Sequence, residues 1–109
     1  GSTMEATDAR KRAAYFSAVL RKRLGANLRQ VILFGSRARG DFREGSDYDF
    51  AVVVRRKDPT VQSSIVEAGV DFLNRFDEVS ACVVYDETEW AESTRLPLGV
   101  NIKREGIAL

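Results

Sequence analysis

The sequence predicts an α+β fold, a mixed α/β arrangement in which a small mixed sheet of about three strands has helices packed on one face. Three observations predict it. Two long stretches step their apolar residues at helical spacing, short uninterrupted apolar runs stand between and after them, and a helix-length crossover separates the second run from the third.

In the first stretch, Thr7 to Leu24, Ala9, Ala13, Phe16, Leu20 and Leu24 line one face, with Thr7 as the expected N-cap. Arg10-Lys11-Arg12 and Arg21-Lys22-Arg23 read as its solvated side. Gly25 and Asn27 tolerate positive φ and end it. Val31 to Phe34 is too short for a helix and reads as a buried strand, as does Tyr48 to Val54. Between them, Gly35 to Ser46 holds three glycines and many charges, which is turn composition. Asp58-Pro59 supplies an N-cap and a first-turn proline for a second helix lined by Val61, Ile65, Ala68, Phe72 and Phe76. Val79 to Tyr85 is a third strand, Thr88 to Ser93 a helical turn carrying Trp90, and Leu96 to Leu109 a short helix followed by a terminal extended piece. The compact turn makes strands one and two antiparallel. The helical crossover makes strands two and three parallel neighbours.

Composition narrows the chemistry. The 109 residues, 44% apolar and 30% charged, suit one globular domain, expected over residues 4–109, with Gly1, Ser2 and Thr3 ahead of Met4 reading as an expression scar. Seventeen basic against sixteen acidic residues leave a net charge of +1, no footprint for non-specific nucleic-acid or membrane binding. Without histidine, histidine-based triads, dyads and zinc sites are excluded. Cys82, the single cysteine, can form neither an internal disulfide nor a cysteine-rich metal site, and it fits a reducing compartment. No apolar run of about 18 residues is present to span a bilayer. The chain therefore reads as cytoplasmic.

Gly35-Ser36, closing a strand, opens Arg37-Ala38-Arg39-Gly40, a candidate single helical turn. Backbone N–H groups, a glycine that permits close approach and a serine hydroxyl make a phosphate cradle there. Ten residues later come Asp47-Tyr48-Asp49. Alternation along a strand points Asp47 and Asp49 to one face and Tyr48 to the other. Two adjacent carboxylates repel unless a cation neutralises them, and hard oxygen ligands suit Mg²⁺, which also binds substrate phosphate. Reversal of the chain about the turn brings Ser36 and both aspartates to one end of the sheet. A phosphate cradle beside a carboxylate metal site is a nucleotide site.

The Gly35-Ser36 pair, the ten-residue gap and Asp47-Tyr48-Asp49 resemble the GSx10DxD signature of minimal nucleotidyltransferases in the DNA polymerase beta superfamily. The fuller string GSRARGDFREGSDYDFAVVV is similar to that family, as is the closing Asn101-Ile102-Lys103-Arg104-Glu105-Gly106. The resemblance implies a polymerase-beta-like nucleotidyltransferase fold. It further implies Mg²⁺- or Mn²⁺-dependent transfer of a nucleoside monophosphate, AMP from ATP in the leading case, to an acceptor hydroxyl with release of pyrophosphate. Gly35 and Ser36 would hold the triphosphate, Asp47 and Asp49 the metals, and Arg37 and Arg39 would lend charge to the phosphates. Ser46, the serine before the aspartates, is counted with the nucleotide-binding residues.

Small members resemble the antitoxin halves of toxin–antitoxin pairs with HEPN ribonucleases, where a tyrosine of the toxin is the acceptor. A HEPN-type partner or self-association is expected on that ground. The alternative is a catalytically weak or inactive relative acting as a nucleotide-binding or protein-binding module. The resemblance also implies a third carboxylate early in the third strand. Its place falls near Ser80 or Ala81, neither of which is acidic, and Glu78, one strand period before Ser80, is the candidate replacement.

Overall fold

The computed structural model describes residues 2–43 and 45–109, so Glu44 and Gly1 lie outside it. Helix α1 runs over Ser2–Leu24. It begins ahead of the expected cap Thr7, because Met4, Glu5 and Ala6 favour helix and extend its first turns. Ser2 and Thr3 are therefore part of the element. Strand β1 (Leu28–Phe34) is longer than its apolar run, since Leu28 is buried and pairs with Val54. After the single turn α2 (Ser36–Arg39) comes β2 (Tyr48–Val54), as the sequence predicts. Helix α3 (Pro59–Phe76) opens on Asp58, whose carboxylate accepts the Val61 N–H at 3.0 Å. Strand β3 (Ser80–Asp86), helix α4 (Glu87–Ser93), helix α5 (Pro97–Glu105) and the short strand β4 (Ile107–Ala108) complete the chain.

The sheet is mixed, with order β3-β2-β1-β4. β1 is antiparallel to β2 and β4, and β2 is parallel to β3 through the α3 crossover. Four strands replace the expected three. The terminal piece pairs with β1 at Ile32↔Ala108 and Leu33↔Ile107, and the Leu109 N–H reaches the Val31 carbonyl at 2.9 Å.

The helices cover both faces rather than one. On the first face, Phe16 and Leu20 of α1 and Val61 and Phe72 of α3 pack on Val31, Leu33, Phe50 and Val52. The Phe16 and Phe50 rings stack at 4.2 Å. On the second face, Trp90 of α4 and Ile102 of α5 pack on Ile32, Ala51, Val83 and Tyr85. Alternation in β2 thus sends Tyr48, Phe50, Val52 and Val54 to the α1–α3 side and Asp49 and Ala51 to the α4–α5 side. Among the described residues, no helix is long and apolar enough to cross a membrane.

Candidate functional site

At the end of β1 the backbone turns at Gly35, with φ 75° and ψ −158°, a region only glycine occupies without strain. A β-carbon on Gly35 would lie 2.4 Å from Asp49 Oδ2. The bare Cα is thus required twice, once by the turn and once by the carboxylate packed on it. The Gly35 carbonyl accepts the N–H groups of Ala38 (3.1 Å) and Arg39 (3.0 Å), closing α2, and Gly40 at φ 87° ends it. The N–H groups of Ser36 and Arg37 have no acceptor within this turn.

Asp49 pairs with Phe34 across the antiparallel ladder, and this register sets it beside Gly35. Asp47, one residue before β2, is exposed, and Asp49 is half-buried. Burial, reinforced by the charge of Asp47 and opposed by Arg39, raises the Asp49 carboxyl above its ordinary range. Among the described residues Arg39 offsets that charge without forming an ion pair with either carboxylate. Among the described residues no third histidine, cysteine, aspartate or glutamate joins the pair. Two carboxylates, one of them open to solvent, fit a hard divalent cation whose remaining positions are filled by water and phosphate oxygens.

Arg39 lies at this site, half-exposed, and pairs with Asp41 (3.2 Å) and with both carboxylate oxygens of Glu105 (3.0 and 3.2 Å). Arg37 turns the other way. It is 6% exposed, stacked on the rings of Phe42 (4.3 Å) and Tyr48 (4.6 Å). Its Nε and Nη2 donate to the Ser46 carbonyl at 3.1 and 2.9 Å, and Nη2 also meets Glu78 Oε2 at 3.1 Å. The expectation that Arg37 lends charge to phosphates thus meets a guanidinium packed on the α1–α3 side, between Phe42 and Tyr48. Ser46 serves the loop as well, its hydroxyl accepting the Arg43 N–H at 3.0 Å.

Glu78 is likewise held by other partners. Its carboxylate is divided between Arg37 and Arg12 (2.9 Å), on the Tyr48 side of the sheet. It does not join Asp47 and Asp49, because two arginines already neutralise it there. The register also places the neighbouring positions: Ser80 pairs with Tyr48 and Ala81 with Asp49. The residue beside the carboxylate face is thus Ala81, and Ser80 faces α3, where it meets Gly69. Cys82 offers no nucleophile, since burial, with Asp49 adding to it, pushes its thiol up to about 12.

Glu105 is the participant that spacing alone did not reveal. Its Oε1 accepts the Gly35 N–H at 3.4 Å while holding Arg39, so α5 delivers a carboxylate to the same turn. Gly106 permits this. A β-carbon there would lie 2.3 Å from the Ile102 carbonyl oxygen and 2.4 Å from Ile32 Cγ2, so only glycine lets the chain pass from α5 into β4 this close to β1. The signal in the sequence was the Asn101–Gly106 segment, noted for its likeness to a family ending.

The family described as "Nucleotidyltransferase domain" matches residues 15–105. Among solved structures, a toxin–antitoxin complex with AMP-PNP matches with TM-score 0.61 and 19% identity, covering 88% of this chain and 70% of that one. A complex of tri-AMPylated Shewanella oneidensis HEPN toxin with its MNT antitoxin matches with TM-score 0.56 and 16% identity, covering 92% and 70%. At these identities the likeness is one of fold. A comparison with curated proteins finds no match.

Proposed function

Because the chain belongs to the nucleotidyltransferase domain family, we propose that it binds a nucleoside triphosphate, ATP in the first instance, with Mg²⁺ or Mn²⁺ and transfers the nucleoside monophosphate to a hydroxyl acceptor. The observation that carries the reading is Asp49 packed on the bare Cα of Gly35, which joins the phosphate turn to the carboxylate pair. Asp47 and Asp49 would hold the metal, which supplies charge neutralisation to the phosphates. Gly35 and Ser36 bind the triphosphate through backbone N–H groups and the hydroxyl. Arg39, half-exposed at the same turn, adds positive charge.

In the transfer, the acceptor oxygen bonds to the α-phosphorus as the bond to the bridging oxygen breaks. Pyrophosphate leaves with the electron pair and the hydroxyl proton passes to water. Such a reaction asks for in-line placement more than for protein nucleophiles, which suits a site without histidine or a reactive thiol. A HEPN-type protein, presenting a tyrosine, is the proposed acceptor partner in the cytoplasm. The likeness to antitoxins in two toxin–antitoxin complexes supports this choice over self-association.

Ala81 beside Asp49 supports a second reading, in which the domain binds metal–nucleotide but transfers slowly. Two measurements test these readings. Calorimetric titration with ATP is expected to show binding in Mg²⁺ and none in chelator, with Asp47→Asn and Asp49→Asn each losing the metal-dependent part while remaining folded. Label from the α-phosphate of ATP, followed onto a HEPN-type partner, then separates transfer from binding alone. Equal affinity with and without metal removes both readings.

A further inference from the structure

We propose that Arg37 is a positioning residue that fixes Asp47, and through it the metal site, by gripping the peptide that leads into it. The proposal rests on the reading of Asp47 and Asp49 as metal ligands. A peptide group is planar, so the Ser46 carbonyl and the Asp47 nitrogen move as one rigid unit. Arg37 clamps that carbonyl with two donors, Nε at 3.1 Å and Nη2 at 2.9 Å. The next peptide is fixed from the other side, where the Tyr48 N–H donates to the Val79 carbonyl at 2.9 Å. Asp47 thus hangs between two anchored planes.

The clamp is itself braced. Phe42 and Tyr48 sandwich the guanidinium, Glu78 holds Nη2, and Arg12 holds Glu78 from α1. Arg37 also belongs to α2, the turn carrying Ser36. One side chain therefore ties the phosphate turn to the carboxylate that follows the loop, across a segment with positive φ at Gly40 (87°) and Gly45 (84°). Residues that orient metal ligands from behind typically govern affinity by about 10- to 100-fold.

Arg37→Lys keeps the charge and reaches Glu78 but loses the two-pronged grip on Ser46. Mn²⁺ affinity, titrated in the presence of ATP, is expected to fall by about 10- to 100-fold, at a temperature where the variant is fully folded by circular dichroism. A core control, Val61→Ala at the far end of α3, is expected to lower the melting temperature and leave Mn²⁺ affinity at the wild-type value. ATP affinity at saturating Mn²⁺, the readout of direct phosphate contact, is expected to be unchanged in Arg37→Lys. Wild-type Mn²⁺ affinity in Arg37→Lys overturns the proposal, as does loss of ATP affinity at saturating Mn²⁺, which would make Arg37 a phosphate ligand. Failure of wild type to bind ATP with Mn²⁺ overturns the proposed function as well, so the two failures are distinguishable. Should Arg37→Lys not fold, Phe42→Leu removes one face of the sandwich and is expected to weaken Mn²⁺ binding in the same direction; no weakening there overturns the proposal.

Discussion

Gly35 answers to two constraints that act through different physics. Its backbone region costs any other residue about 1 to 3 kcal/mol, and a β-carbon would press into Asp49 Oδ2. Gly35→Ala is expected to lower unfolding stability by about that amount and to abolish metal-dependent ATP binding, because displacing Asp49 separates it from Asp47; urea titration and calorimetry read the two effects apart. Retained nucleotide affinity in that variant would place the cradle elsewhere. At this scale the sequence was informative where chemistry depends on near neighbours: strand alternation alone put Asp47 and Asp49 on the face opposite Tyr48. It was uninformative for Arg37 and Arg39, two turn arginines with the same local setting. Their separate fates depend on Phe42, Tyr48 and Glu78 on one side and Glu105 on the other, contacts that no local spacing encodes.

Elements with a cap and a period were legible, and elements built by pairing were less so. Asp58-Pro59 announced α3, and the structure bonds the Asp58 carboxylate to the Val61 N–H. Asp58→Ala is expected to cost about 0.5 to 2 kcal/mol, measured by urea unfolding, while ATP affinity stays at its wild-type value, since this end of α3 is remote from Asp49. A larger loss would mean that Asp58 supports more than one helix turn. By contrast, β4 has two residues, too few to show any periodicity, and only its ladder with β1 makes it a strand. The cover on the second face was missed for a similar reason. α4 and α5 are short and contribute few large apolar side chains, and Trp90 and Ile102 find their partners only after the sheet has formed.

Across the whole molecule, the fold and the expectation of a Gly35-Ser36 turn beside Asp47 and Asp49 could be read from the sequence, but the face of β3 could not. A shift of one residue in a strand exchanges its faces, and the pairing of Asp49 with Ala81 assigns the carboxylate side to Ala81 rather than Ser80. Ala81→Asp is therefore expected to raise the rate of nucleotidyl transfer to a HEPN-type partner, by tenfold or more if a proton acceptor is what the site lacks. Ser80→Asp, directed toward α3, is expected to give no gain. Equal rates in wild type and Ala81→Asp would show that proton removal does not limit the reaction. The end of the chain carries a different consequence. With Glu105 on the Gly35 N–H and on Arg39, the turn already holds a resident anion supplied by α5. An arriving triphosphate must then compete for donors that are in use, so its binding is an exchange of one anion for another, with less net gain of charge contacts than an empty cradle would give. Glu105→Gln is expected to tighten Mg²⁺–ATP binding and steepen its dependence on salt, because the occupant it leaves is neutral; weaker binding would instead make Glu105 a support of the turn. On the proposed function that competition would set a threshold, which only a ligand whose metal is also held by Asp47 and Asp49 would have enough second contacts to pass.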